Sequence, residues 1–307
     1  MVEISSHRLG WGRNKPHAKR KQRFQSAECE DFKNYRRTFH KDYEISEDCN
    51  GEDDMRAEFF KENKITVENH NQRFTRGEET FYMSISDNAD LSFEEAIELR
   101  MGLKLPPSAR SLPVEPAVPY VPNNVPASVD WRDGTGFQPI KDQGDCGSCW
   151  AFAVVSCLEF LVLRQGVSIS LSEQNLVDCS TADHGCSGGW PTNSFKYVKQ
   201  NGIATSSYVY AEAERTCRKE SFPPKVRIGN YCEERLGGNE ARLMELTAKY
   251  GPIVVAVEAT KNFILYGGGV FSDSTCGTGI DHAVVVVGYG TDDKYGNYWL
   301  IRNSWGE

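Results

Sequence analysis

The run Gln143-Gly-Asp-Cys-Gly-Ser-Cys-Trp-Ala-Phe152 decides how the rest of this chain is read. It puts Cys149 at the head of an apolar stretch, residues 149–163, whose length and composition predict a buried helix with Gly166 as its stop. A thiol in the first helical turn faces backbone N–H groups and the positive end of the dipole, which favour negative charge. The thiolate is the attacking species in cysteine chemistry, so this position predicts a nucleophile. A competing reading makes Cys146 and Cys149 a redox CxxC pair, with Cys179 and Cys186 as further thiols or zinc ligands. No βαβ pattern of the thioredoxin kind surrounds the run.

Composition narrows the class. The 307 residues, 39% hydrophobic and 25% charged, suit a globular protein with two or three cores. A net charge of -8 argues against nucleic acid as a partner. No apolar run is long enough to span a bilayer. Ten cysteines, most of them in the second half, predict disulfides and a lysosomal or extracellular destination. Residues 1–25 carry Arg8, Arg13, Lys15, Lys19, Arg20, Lys21 and Arg23 without an apolar core; they read as a basic tail, with no signal peptide visible.

Seven of the thirteen prolines fall between Pro106 and Pro126, which predicts an extended linker over 105–124. Upstream, Glu52, Arg56, Phe60, Asn63, Val67 and Asn71 recur at steps of three and four along one helix face. Ser92 with Glu95 reads as a capping box for a second helix, and Ser170 with Glu173 as another before Leu176 and Val177. A helix is expected over 239–249, closed by Gly251-Pro252. Residues 253–258, 283–288 and 298–302 are β-branched and Gly-punctuated, as antiparallel strands would be.

A cysteine nucleophile needs a base, and the base an orienting partner. His282 opens the four-valine strand and Asn303 ends the next, 133 and 154 residues beyond Cys149. A lone histidine is most often a satisfied core or surface residue. Here Cys149 in its run and Asn303-Ser-Trp305 reverse that weighting.

Taken together, residues 30–307 resemble the papain family of cysteine peptidases in precursor form, cathepsin L-like in style. The resemblance implies an α+β, papain-like two-domain fold: a helical half over 125–235 and an antiparallel β-rich half over 236–307, with the active site in their cleft. A helical inhibitory propeptide over 26–104 precedes it. Cys149 would be the nucleophile and His282 its imidazolium partner, Asn303 would orient the ring, and Trp305 would shield that contact. The Gln143 amide would join the Cys149 backbone N–H in an oxyanion hole, an arrangement worth several kcal/mol. Gly188 and Gly189 would bind substrate backbone. Trp190, Pro191, Ala256 and Ala283 would line a pocket for a hydrophobic side chain two residues before the cut. Disulfides would join Cys146 to Cys186 and Cys179 to Cys217, and Cys276 would pair with a residue beyond Glu307. Cys29, Cys49, Cys157 and Cys232 stay unassigned, Cys157 reading most simply as a small buried hydrophobe.

The family's ERFNIN propeptide pattern matches residues 52–71 with Val67 for Ile, whereas its GNFD positions carry Ser84, Ser86, Asn88 and Asp90. The propeptide tail would run backwards through the cleft. The absence of a His-rich insertion after Cys186 points to an endopeptidase. Expected partners are peptide or protein substrates, the chain's own propeptide and cystatin-like inhibitors; the chain would be a monomer needing no cofactor and no metal. The family's closing strands would lie beyond Glu307, so the chain reads as C-terminally truncated. A non-catalytic peptide-binding pseudoenzyme is the alternative.

Overall fold

The computed structural model describes residues 25–50, 55–110, 125–132 and 137–306. The basic tail, Glu52 and most of the proline-rich linker lie outside them. Two compact units emerge, one of residues 25–96 with 260–274, the other of 97–259 with 275–306. Residues 97–110, which the sequence reading gives to the propeptide end and linker, pack with the larger unit.

In the smaller unit, helices α1 (Ser26–Thr38) and α2 (Met55–Thr75) enclose Phe32, Tyr35, Ala57 and Phe60 together with Ala89. The polar members of the three-and-four pattern hold the segment that follows. Asn63 Nδ2 donates to the carbonyls of Ala89 and Leu91, and Asn71 exchanges two hydrogen bonds with the backbone of Met83. Val67, the departure from the pattern, is buried against Phe81 and Met83. Asp90 is 1% exposed, accepts from both Tyr35 and Tyr43, and lies 3.3 Å from Lys41. A disulfide between Cys29 and Cys49 ties α1 to the loop before α2, a role sequence reasoning had left open. Strand β1 (Phe81–Met83) pairs antiparallel with β4 (Tyr266–Gly269), just after the short helix α9 (Lys261–Ile264). Helix α3 (Phe93–Arg100) begins at the expected capping box, Ser92 and Glu95 bonding each other's backbone.

The larger unit is built around α5 (Cys149–Leu163), which is apolar on every side because both sides are covered. Trp150, Val154 and Leu158 pack with Leu176 of α6 (Glu173–Cys179) and Val198 of α7 (Pro191–Asn201). Ala153 and Cys157 face Ala283, Val285 and Val287 of β5 (His282–Asp292). That strand is the spine of an antiparallel sheet: β3 (Ile253–Val257) and β2 (Val129–Asp130) pair with it, as does β6 (Gly296–Arg302). Gly288 is required where β5 pairs with β2, since a β-carbon there would fall 2.1 Å from the Val129 carbonyl. Helices α4 (Pro107–Arg110) and α8 (Glu240–Tyr250) complete the unit; Asn239 caps α8 and Gly251 ends it, as expected.

One expectation is corrected. Ser172, not Ser170, caps α6, its hydroxyl accepting from Asn175 N. Glu173 does not turn back to close a capping box, because Lys141 captures it. The Lys141 ammonium lies 2.7 Å from Glu159, 2.7 Å from Glu173 and 3.0 Å from the Leu171 carbonyl. Both carboxylates are buried, so deleting the cation should cost far more than a surface pair. Lys141→Met is expected to destabilise the protein by about 3–5 kcal/mol in denaturant titrations; a change under 1 kcal/mol would refute this role for the cluster.

Candidate active site

Three separate elements deliver the expected residues. Cys149 opens α5, His282 opens β5, and Asn303 follows β6. Antiparallel pairing of β5 with β6 carries His282 and Asn303 to one end of the sheet. There His282 Nε2 lies 2.8 Å from Asn303 Oδ1. An amide oxygen only accepts, so Nε2 carries the proton and Nδ1 is the basic nitrogen of the neutral ring. The Trp305 ring stacks on the imidazole at 4.9 Å, 30° from parallel; His282 is fully buried and Trp305 half-buried. The Cys149 sulfur, fully buried, faces the backbone of Ala283, Gly102 and Trp150. It therefore sits beside the residue next to His282.

Gln143 is also buried and held at both ends of its amide. Ser304 Oγ donates to its Oε1 at 2.6 Å, while its Nε2 donates to Cys146 O and to Arg100 O, the latter at 2.8 Å. Ser304 is a positioning group that no sequence signal singled out; it is legible only once β6 brings it to Gln143.

Residues Arg100–Lys104 lie along this site. Gly102 fits so tightly over Gly147 that a β-carbon would stand 1.7 Å from the Gly147 carbonyl. Gly189 N donates to Gly102 O, Lys104 N to Gly189 O, and Leu103 N to Asp281 O. Leu103 and Gly189 form a parallel bridge. Gly188, at φ +114°, has no room for a side chain, since a β-carbon would meet Gly102 O at 2.5 Å. Leu103 is buried with Trp190, Ala283 and Cys149. Beside it opens a cavity of about 400 Å³ lined by Trp190, Pro191, Ala256 and Glu233. Ala283 is not among the residues lining that cavity; its backbone faces the Cys149 sulfur. Trp190 Nε1 donates to Glu233, which fixes the indole at the cavity wall.

Burial opposes charge on both groups in this covered state. Burial pushes the Cys149 thiol up to about 11, against the backbone donors that favour its anion. Burial likewise pushes His282 down to about 4, against its bond to Asn303. In this covered state burial favours the neutral thiol and the neutral imidazole over their charged forms. With Gly102 and Leu103 packed against the Cys149 sulfur, its desolvation opposes the helix-terminal field.

The sulfur inventory removes the redox and zinc readings. Cys146 is bonded to Cys186 and Cys179 to Cys217, so no CxxC pair forms with Cys149. Cys149 and Cys157 are free and buried, whereas Cys232 is free and exposed.

Residues 125–307 match the papain family cysteine protease model, and residues 32–96 match the cathepsin propeptide inhibitor domain. The chain is 39% identical over 276 residues to a cathepsin L-like peptidase of Aedes aegypti, covering 84% of this chain and 80% of that protein. It is 38% identical over 296 residues to a cathepsin L-like protein of Caenorhabditis elegans, covering 94% and 86%. The structure of digestive procathepsin L2 from Tenebrio molitor larval midgut superposes with a TM-score of 0.78 at 33% identity, covering 91% of this chain and 90% of that one. The chain therefore belongs to the papain family of cysteine proteases, as a cathepsin L-like zymogen carrying its own propeptide inhibitor domain.

Proposed function

We propose that this zymogen matures into an endopeptidase in which Cys149 attacks the scissile carbonyl. The observation that carries the reading is the part-buried His282–Asn303 hydrogen bond under Trp305, with the Cys149 sulfur against Ala283. Once the covering segment leaves, water and the α5 terminus favour the thiolate, and the Cys149 proton passes to His282. The sulfur bonds to the carbonyl carbon. His282 returns the proton to the leaving amine, and then acts as base while water hydrolyses the thioester. The oxyanion would take the place of Arg100 O on Gln143 Nε2 and receive the Cys149 backbone N–H as its second donor. Gln143→Ala is expected to lower kcat about 10²–10³-fold with the fold retained. An unchanged kcat in a properly folded variant would remove Gln143 from this role.

Burial of Leu103 beside Trp190 and Ala283 supports a preference for a hydrophobic side chain two residues before the cut. We place the propeptide at 26–104, the activation segment at 105–124 and the peptidase halves at 125–235 and 236–307. The mature enzyme would act as a monomer, open to cystatin-like inhibitors. Three disulfides support a lysosomal or extracellular site of action. Acid processing of the full chain, amino-terminal sequencing of the product and mass-spectrometric mapping of a thiol-directed epoxide test the reading. An adduct on Cys149 with peptide cleavage is expected; a processed, folded product with neither adduct nor cleavage would favour a peptide-binding pseudoenzyme.

A further inference from the structure

The segment over the site carries one side chain whose seating is not explained by coverage alone. Arg100 is 4% exposed, although nothing in its position as the last residue of α3 obliges a guanidinium to leave water. Its two terminal nitrogens lie 3.5 Å from Asp142 and 3.5 Å from Asp145. Between those two residues, Gly144 packs under a third carboxylate: a β-carbon there would fall 2.2 Å from the Glu212 carboxyl. Glu212 reaches that position on a left-handed backbone, φ 52°, a conformation an ordinary residue adopts at a cost. Three acidic groups thus surround one stretch of loop, and a buried cation from the chain itself is lodged against two of them.

The place of this cluster along the cleft is set by the same segment. Leu103 lies at Gly189, Gly102 at Gly147 and the Cys149 sulfur, and Arg100 at Gln143. Residues preceding a scissile bond are assigned above to the Gly188–Gly189 side. Arg100 is then on the far side of the sulfur, where residues following the bond must lie. Asp142 belongs to that end as well, since its backbone bridges to Trp305.

We propose that Asp142, Asp145 and Glu212 form a subsite selecting arginine or lysine on the carboxyl side of the cleaved bond, which Arg100 occupies in the zymogen as a tethered stand-in. The inference rests on the assignment of Cys149 as nucleophile. Guanidinium and ammonium groups share the needed charge, and arginine can engage two carboxylates at once. Selection arises from differential attraction, with acidic side chains repelled at the same place.

Internally quenched peptides test it, with leucine held two residues before the cut and Arg, Lys, Gln or Glu placed in turn after it. The enzyme is the full chain processed at acid pH, its active concentration set by epoxide labelling of Cys149. At one position after the cut, Arg and Lys are expected to exceed Glu by about tenfold or more in kcat/KM. The Asp142→Asn, Asp145→Asn double variant should compress that ratio to about twofold, and Asp145→Lys should shift it toward Glu. Both side chains are at least 45% exposed, so these variants should fold. Labelled, active enzyme with no charge preference after the cut overturns the subsite, as does a preference unchanged in both variants. Failure to label Cys149 overturns the nucleophile assignment itself and this inference with it, a result distinct from the first two.

Discussion

Cys149→Ala should fold normally and lose peptide hydrolysis by a factor on the order of 10⁶ in kcat, the scale seen when a hydrolase loses its nucleophile. The two halves of this expectation have separate physical grounds. Alanine removes one buried sulfur atom and leaves α5 otherwise intact, so stability should change by no more than about 2 kcal/mol. The site stays assembled: the His282–Asn303 bond, the Trp305 stack and the Ser304–Gln143 contact do not involve the thiol. What remains is a binding cleft without a covalent route, since neither Cys157 nor an exposed thiol lies at the site to substitute. Circular dichroism and a melting curve report the fold, and a quenched peptide reports turnover. Activity retained within about tenfold of wild type would end the assignment.

Gly102→Ala should uncover Cys149 in the uncleaved chain. A methyl group there would stand 1.7 Å from Gly147 O, and that neighbour is backbone at the head of α5, with little freedom to yield. The segment must lift instead. Lifting breaks the bonds linking Gly102 with Gly189, Lys104 with Gly189 and Leu103 with Asp281, each worth about 1 kcal/mol net. It also exposes Leu103, at about 2 kcal/mol. The sum, about 5 kcal/mol, predicts a rise in Cys149 alkylation of roughly 10³–10⁴-fold at neutral pH. In the wild-type zymogen a general alkylating reagent should modify Cys232 but spare Cys149 and Cys157. The pH profile gives a second reading. A covered thiol pushed up to about 11 is protonated throughout the neutral range, so its alkylation should rise only at strongly alkaline pH. Uncovering restores hydration of the anion, and the onset should move to lower pH. Equal rates and equal profiles in the two proteins would show that Gly102 does not hold the cover in place.

Local signals in the chain were enough for much of this. The apolar run after Cys149 became α5, the Ser92–Glu95 spacing became a working cap, and the valine run became the central strand. Asn63 and Asn71 sat at helical spacing, and both proved to be anchors for backbone remote in the chain. The misplaced cap of α6 shows the limit of such reading. Ser170 and Glu173 had the right spacing, yet Lys141, more than thirty residues upstream, claims the glutamate and leaves Ser172 to cap the helix. Cys29 with Cys49 was unreadable for a similar reason, because pairing depends on where α1 and the following loop meet.

Element types, and the identity of the groups able to do chemistry, were determined by the sequence itself, because periodicity, capping and turn chemistry act between near neighbours. The charge state of Cys149 and His282, the cover of Gly102 and Leu103, and the seat of Arg100 among carboxylates were decided by tertiary structure alone. Desolvation and Coulomb attraction depend on what surrounds a group in space, and here those surroundings come from distant parts of the chain.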